Sequence, residues 1–66
     1  MSNKLKDVRE KAHMTQEELA KKSGVSRGTI SAIENNQDKA PSTKTLVALA
    51  KALNVSVVKI FFADGV

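Results

Sequence analysis

The polar and charged side chains of this sequence are suited to hydrogen bonding. Their types and spacing do not include a combination that would support catalysis. The chain has no cysteine and a single histidine, His13, so a metal site would rest on carboxylates alone. It has no phosphate-binding glycine loop and no carboxylate pair in an apolar setting, and 66 residues leave little room for a pocket. We predict no enzyme activity, no cofactor and no metal, and we interpret His13 as a solvated residue at a helix end.

The charge balance favours a polyanionic partner. Lysine and arginine number 11 against 7 aspartates and glutamates, which gives a formal net charge of +4 at pH 7. This excess suits attraction to phosphates, although many ordinary domains of this size carry the same charge. Among the cationic side chains, arginine is also able to read sequence, because it donates two hydrogen bonds to O6 and N7 of guanine.

Arg27 begins a segment whose two faces differ. At about 100° per residue, Ile30 and Ile33 define the inward face of a helix. The opposite face carries small or polar residues: Gly28, Ser31, Ala32 and Asn35. Arg27 lies at the flank of that outer face, in the first turn. We predict that Arg27 reads a base; a phosphate contact or a solvated surface arginine are the alternatives.

Apolar residues recur at helical spacing along the whole chain, and the alternation typical of strands is absent. Five short helices are predicted. Their caps, in chain order, are Ser2 or Asn3, Thr15 with Glu18 as a capping box, Ser26, Ser42 and Ser56. The residues expected to face the core are Leu5, Val8, Ala12, Leu19, Ala20, Ile30, Ile33, Leu46, Leu49, Ala50, Leu53, Val57, Ile60 and Phe61.

The second and third helices are separated by a short break that contains Gly24. Glycine takes the left-handed conformation at a helix end without strain. Ala20 is small where the two helices meet, and Val25 and Ile30 fill the wedge between them. Helices joined in this way cross steeply, as in DNA-reading helix-turn-helix motifs. We assign the motif to residues 16–35.

The sequence resembles the lambda-repressor-like class of bacterial and phage regulators, of xenobiotic-response-element or Cro type. The resemblance is carried by the runs Met14–Ala20, Ser23–Ser26 and Thr29–Asn35, and by the later leucine pattern of residues 46–56. It covers nearly the whole chain. It implies an all-α fold, a compact five-helix bundle in which helices 2 and 3 form the helix-turn-helix, and double-stranded DNA as the partner.

The same resemblance implies base-reading positions at Arg27, Gly28 and Ala32, on the outer face of the third helix. Gly28 and Ala32 allow close approach, and Ala32 is able to touch a thymine methyl group. Ser31 adds at most a weak polar contact. Because this surface offers few hydrogen bonds, we expect DNA shape to supply part of the specificity.

Phosphate contacts are expected on both sides of that helix. The resemblance places one at Gln16, with Thr15 and Thr29 close by, and the first amides of the second helix also suit an anion. A second clamp, on the other side of the groove, is expected from Asn35, Asn36, Lys39 and Lys44. The alternatives are that Gln16 is only a good first-turn residue and that the loop side chains face water.

Glu34 borders the inward face of the third helix, where a carboxylate needs a partner. Arg9 on the first helix is the expected one, as the resemblance also implies. We predict a structural, partly buried ion pair between these two residues.

The end of the chain is richer in apolar residues than its own core requires. Val58 and Phe62 are four residues apart on a face away from the core, which is typical of a partner surface. We predict a symmetric dimer through a tail of residues 56–66, with Val58, Phe62 and Val66 at the interface. The alternative is a tail that folds back over the core.

Together these patterns predict one helix-turn-helix domain over residues 1–66, acting as a homodimeric repressor that reads a pseudo-palindromic operator. The alternative is a protein-interaction module on the same scaffold, such as an antitoxin-like partner binder. No membrane span, signal peptide or small-molecule ligand domain is expected, which favours the cytoplasm. The resemblance implies a bacterial or phage-encoded protein that is associated with the nucleoid through DNA binding. The operator, the regulated genes and the choice between repression and activation stay open.

Overall fold

Caps and stops divide the chain into five helices. The computed structural model describes residues 3–38 and 40–61, and it contains only helices and their connections within that part. The helices are α1 Leu5–Lys11, α2 Gln16–Ser23, α3 Arg27–Glu34, α4 Thr43–Leu53 and α5 Val57–Phe61. The predicted all-α, five-helix fold is confirmed.

The start of α1 differs from the prediction. Ser2 lies outside the described residues, and the N-cap position belongs to Lys4, while the Asn3 side chain accepts a hydrogen bond from the backbone N–H of Leu5 at 3.0 Å. The helix ends at Lys11, because the chain turns through the left-handed conformation at His13, with φ of 59°. Ala12 therefore leaves the helical face and is exposed, so its predicted place in the core is wrong.

The predicted start and stop of α2 are confirmed. The Thr15 hydroxyl accepts from the Glu18 backbone N–H at 3.0 Å, and the Glu18 carboxylate accepts from the Thr15 backbone N–H at 2.9 Å. Gly24 ends the helix at a φ of 78°, in the left-handed region that favours glycine. Only three residues separate α2 from α3, so the direction of α3 is set by this turn and by the packing behind it.

The other predicted serine caps are also present. The hydroxyls of Ser26, Ser42 and Ser56 each accept from the backbone N–H three residues later, at 3.1, 3.2 and 3.2 Å. Asn54 ends α4 in the left-handed conformation, with φ of 57°. After α3 the chain reverses at Asn36, with φ of 59°, and the amides of the next two residues donate to the Ala32 carbonyl.

The core lies where all five helices converge. Its buried residues are Leu5, Leu19, Ile30, Ile33, Leu49, Ala50, Ala52, Leu53, Ile60 and Phe61. Val8, Ala20, Leu46 and Val57 are half-buried and pack against this cluster. α3 packs against α1 and α2, whereas α5 packs against α1 and α4. Because α1 and α2 hold α3 from two sides, the outer face of α3 has a fixed place on the protein. No helix in the described ranges has the length and apolar character needed to cross a membrane.

Candidate nucleic-acid interface

The outer face of α3 is formed by the residues predicted for it. Arg27, Gly28 and Asn35 are exposed, and Ser31 and Ala32 are half-buried. Arg27 is the first residue of the helix, directly after the Ser26 cap. A recognition helix that enters the major groove contacts bases with its first turns. The geometry thus gives Arg27 the position that the sequence predicted for a base reader.

Gly28 has no structural reason to be a glycine. It lies inside α3, and a Cβ atom built on it would meet no other atom within 4 Å. A glycine inside a helix costs about 0.5–1 kcal/mol relative to alanine, because it loses more backbone freedom on folding. No atom of the described residues comes near the space that the missing side chain leaves, so packing does not explain why this position is a glycine. The absence of a side chain therefore makes sense if something outside the protein approaches α3 closely at this point.

A partly buried polar network joins the end of α3 to α1. Arg9 Nε donates to Glu34 Oε2 at 2.7 Å and Arg9 Nη2 donates to Glu34 Oε1 at 3.2 Å. The two side chains are 11% and 3% exposed, as predicted for a structural pair. The hydrogen bond to Glu34 raises the pKa of Arg9 above its ordinary value. Arg9 Nη1 also donates to the Met14 carbonyl at 2.7 Å, which fixes the connection between α1 and α2.

Gln16 belongs to this network as well. Its Nε2 atom donates to Glu34 Oε1 at 3.0 Å, a bond that no pattern in the sequence indicates. The first residue of α2 and the last residue of α3 are therefore neighbours. A glutamine amide has two N–H donors and one carbonyl acceptor, so one donor and the acceptor of Gln16 are left for other contacts.

The predicted phosphate-binding residues separate into two groups at opposite ends of α3. Asn35 and Asn36 directly follow Glu34 and lie at the end where Gln16 is held. Lys44 instead lines a shallow groove with the α2–α3 turn and with Thr29, at the beginning of α3. Ser26 donates to the Thr29 hydroxyl oxygen at 2.8 Å in the same region.

This arrangement differs from the predicted groups. Thr29, expected close to Gln16, lies with Lys44 at the beginning of α3, and Asn35 and Asn36, expected across the groove from Gln16, lie at the end of α3 where Gln16 is held. Lys44 was expected to act beside Asn35 and Asn36 in a single clamp, but the length of α3 lies between them. The physical reason is that α4 packs against α2, which brings the first turn of α4 to the α2–α3 turn rather than to the end of α3. Lys39, the fourth member of the predicted clamp, lies outside the described residues.

The predicted dimer surface is described only in part. Val58 on α5 is 51% exposed, the largest exposure of any large apolar side chain in residues 3–38 and 40–61. Phe62 and Val66 lie outside the described residues. Val47 on α4, at 37% exposure, is the other exposed large apolar residue of the described ranges.

One residue close to the interface was missed as a functional candidate. Asn3 was considered only as a helix cap, yet its Nδ2 atom donates to the Ile33 carbonyl at 2.9 Å and approaches Asn36 Oδ1 at 3.4 Å. These partners are 30 and 33 residues away along the chain. No pattern in the sequence marks such a contact, because a single asparagine near a helix start is sufficiently explained by capping.

Comparisons with known proteins agree with this geometry. A model of the helix-turn-helix family HTH_3 matches residues 5–60. An uncharacterized HTH-type transcriptional regulator of Methanocaldococcus jannaschii is 49% identical over 64 residues, covering 97% of this chain and 96% of that protein. Another such regulator, from Archaeoglobus fulgidus, is 41% identical over 64 residues, covering 97% and 89%. The ImmF control region 10 kDa protein of Bacillus phage phi105 is 43% identical over 53 residues, covering 80% of this chain and 58% of that protein.

The matched span runs from the first residue of α1 to Ile60 in α5, so it includes the helix-turn-helix, α1, α4 and most of α5. The chain belongs to the HTH_3 helix-turn-helix family of lambda-repressor-like type, and it is a DNA-binding transcriptional regulator rather than an enzyme.

Proposed function

We propose that the protein represses transcription as a homodimer that binds a pseudo-palindromic operator, each subunit inserting the first turns of α3 into the major groove. The residues that face the bases in this proposal are Arg27, Gly28, Ser31 and Ala32. The observation that carries it is the outer face of α3, where an exposed arginine is followed by a glycine whose missing side chain serves no purpose in the fold.

The two groups of polar residues at the ends of α3 support a groove-spanning position. Thr15, Gln16, Asn35 and Asn36 would contact the phosphates of one strand, and Thr29 and Lys44 those of the other. The first amides of α2 add donors for a phosphate on the Gln16 side. We place Lys39 with the phosphate contacts as well, on its charge and its position in the loop before α4.

The dimer is proposed through α5 and the residues that follow it, within residues 56–66. A single module of this size buries little DNA-facing surface and binds weakly, whereas two modules related by a two-fold axis read two half-sites about 34 Å apart. A two-fold interface places the same patch on both subunits, so one exposed apolar side chain, Val58, contributes twice. Phe62 and Val66 complete the proposed interface.

Repression follows if the operator overlaps a promoter, because a bound dimer then blocks the polymerase. The name of the phage relative, a control region protein, supports a role at regulatory DNA. We propose that the protein acts in the cytoplasm of a prokaryotic cell and is encoded either by that cell or by a phage that infects it. Run-off transcription from a promoter that overlaps the bound sequence should fall as the protein is added; a rise would assign activation instead.

Sedimentation of matched variants tests the dimer. Val58→Glu should reduce the mass of the protein in solution from dimer to monomer and should weaken binding to a two-half-site duplex. Val47→Glu is the control, because it makes the same change at an exposed valine on α4. If Val58→Glu keeps the mass of the parent, the interface does not involve α5. If both variants become monomeric, the effect is one of added charge and not of the α5 surface.

A further inference from the structure

Two residues that precede α1 connect the recognition helix to α5. The Asn3 side chain donates to the Ile33 carbonyl in the last turn of α3 at 2.9 Å, and the Lys4 backbone N–H donates to the Ile60 carbonyl in α5 at 2.7 Å. We call Asn3 and Lys4 the N-terminal clasp. It is anchored on α1, because the Asn3 Oδ1 atom accepts from the Leu5 backbone N–H at 3.0 Å.

The helix packing makes these two hydrogen bonds more important for the relative position of α3 and α5 than two hydrogen bonds usually are. α3 packs mainly against α1 and α2, and α5 packs mainly against α1 and α4, so α1 is the helix that both have in common. The clasp directly precedes α1 and is hydrogen-bonded to both of the other helices. Asn3 therefore holds the end of α3 at a fixed place relative to the α5 backbone.

We infer that Asn3 is a positioning residue that fixes the angle between α3 and α5 and so sets the half-site separation that the dimer accepts. The inference rests on the proposed dimer through α5. In such a dimer the two recognition helices are connected only through the subunit bodies and the α5 interface. Adding one base pair moves a half-site by about 3.4 Å and turns it by about 34° around the duplex. A rigid connection between α3 and α5 rejects that change, and a loosened one tolerates it.

The bond to α3 is separable from the helix cap. Serine accepts a hydrogen bond from the backbone N–H two residues later, as Asn3 does now, although more weakly. Its side chain has no amide and is too short to reach the Ile33 carbonyl. Asn3→Ser thus keeps the capping function and removes the bond to α3, and Asn3→Ala removes both. If Asn3 served only as a cap, Asn3→Ala would lower stability more than Asn3→Ser, and the spacing preference of both variants would equal that of the parent.

The experiment measures the affinity of the full chain and of both variants for a series of inverted repeats. The repeats share one half-site, and their centre-to-centre separation changes in single base-pair steps. The assay is run well below the melting midpoint of each variant, with dimer mass checked by sedimentation. For Asn3→Ser and Asn3→Ala we expect a smaller change in the affinity for a single half-site than in the spacing preference, although Asn3 also approaches Asn36. Their preference for the best spacing over its neighbours should fall about threefold to tenfold, the equivalent of one ordinary hydrogen bond.

Spacing preferences equal to that of the parent in both variants would overturn the inference and leave the proposed dimer intact. A parent that shows no spacing preference would instead overturn the proposed dimer, and the inference with it. A lower single-half-site affinity with an unchanged spacing ratio would also count against Asn3 as a positioning residue, because it would assign Asn3 to the support of α3 alone.

Discussion

Gln16, the first residue of α2, donates its side-chain amide to Glu34, the last residue of α3, at 3.0 Å. This bond adds a side-chain hydrogen bond between two helices that are also joined through the Gly24 turn. It also orients Gln16, whose second N–H is left to donate to a phosphate. A buried carboxylate thus serves two purposes: it pairs with Arg9 in the body of the protein and it positions a polar side chain at the proposed DNA surface.

The Arg9–Glu34 pair should be one of the most sensitive positions for stability. Both side chains are nearly buried, at 11% and 3% exposure, so removal of one partner leaves the other charged and desolvated. We expect Glu34→Gln and Arg9→Met each to lower the free energy of unfolding by about 1–3 kcal/mol, the cost of leaving a desolvated donor or acceptor without its partner. Denaturant unfolding measures this.

The double variant provides the control for that prediction. Because Arg9→Met with Glu34→Gln removes both charges, its loss of stability should be smaller than the sum of the two single losses. Additive losses, or unchanged melting midpoints in the single variants, would show that the two side chains act independently.

Lys44 should contribute to DNA affinity through its charge. Lys44→Ala is expected to weaken binding similarly on all sequences and to lower the slope of log affinity against log salt concentration by about one for each phosphate that is no longer neutralised. Lys51→Ala is the matched control, since Lys51 is an exposed lysine at the other end of the same helix. Equal changes in slope for the two variants would mean that net charge, and not the position of Lys44, accounts for the effect.

Gly28→Ala should separate folding from DNA binding. An alanine Cβ at this position meets no atom within 4 Å and improves the helix propensity of α3, so we expect the free energy of unfolding to rise by about 0.5–1 kcal/mol. The same methyl group should reduce the affinity for the operator, because it stands between the helix and the DNA. Thermal melts and binding isotherms measure the two effects. A variant that is more stable and binds DNA as well as the parent would remove Gly28 from the proposed interface.

The capping box of α2 should make stability depend on pH in acid. The hydrogen bond from the Thr15 backbone N–H lowers the pKa of the Glu18 carboxyl in the folded protein. The ionised Glu18 carboxylate therefore contributes fully to the free energy of unfolding above the ordinary glutamate pKa of about 4.3. This contribution is lost as the pH falls through the lowered pKa of Glu18 in the folded protein. We expect the free energy of unfolding to decrease over that range.

Glu18→Gln is the control for this pH dependence, because glutamine keeps the capping box but does not titrate. The parent should lose more stability than Glu18→Gln between about pH 6 and about pH 3. Urea unfolding at several pH values gives both curves. Parallel curves would show that other carboxylates account for the acid sensitivity.

Features that depend on local chemistry could be predicted from the sequence. The Thr15–Glu18 box, the left-handed glycine at Gly24 and the Ser42 cap each rest on residues within four positions of one another. The inward positions of Ile30 and Ile33 follow from helical periodicity, and they fix the outer face of α3. The fold class and the proposed reading face therefore follow from residue types and their spacing alone.

The failures have a shared physical origin. Ala12 fits the periodicity of α1, but the chain turns through the left-handed conformation at His13 directly after it. Histidine is enriched at such positions, but it marks them much less strongly than glycine does. The Gln16–Glu34 bond, the reach of Asn3 to α3 and the position of Lys44 depend on how separate helices pack. Spacing along the chain does not define side-chain distances between helices, so these relationships required three-dimensional information.

Selection of bound duplexes from a random DNA pool tests the central claim most directly. It is done with the parent and with Arg27→Ala at about physiological salt, where nonspecific binding is weak, in the range of about 10⁻⁴–10⁻⁶ M. We predict that the parent enriches an inverted repeat with half-site centres about one helical turn apart, and that Arg27→Ala loses the preference for one guanine in each half-site. Enrichment of no sequence by the parent would contradict the account, and an unchanged guanine preference in Arg27→Ala would remove that residue from base readout.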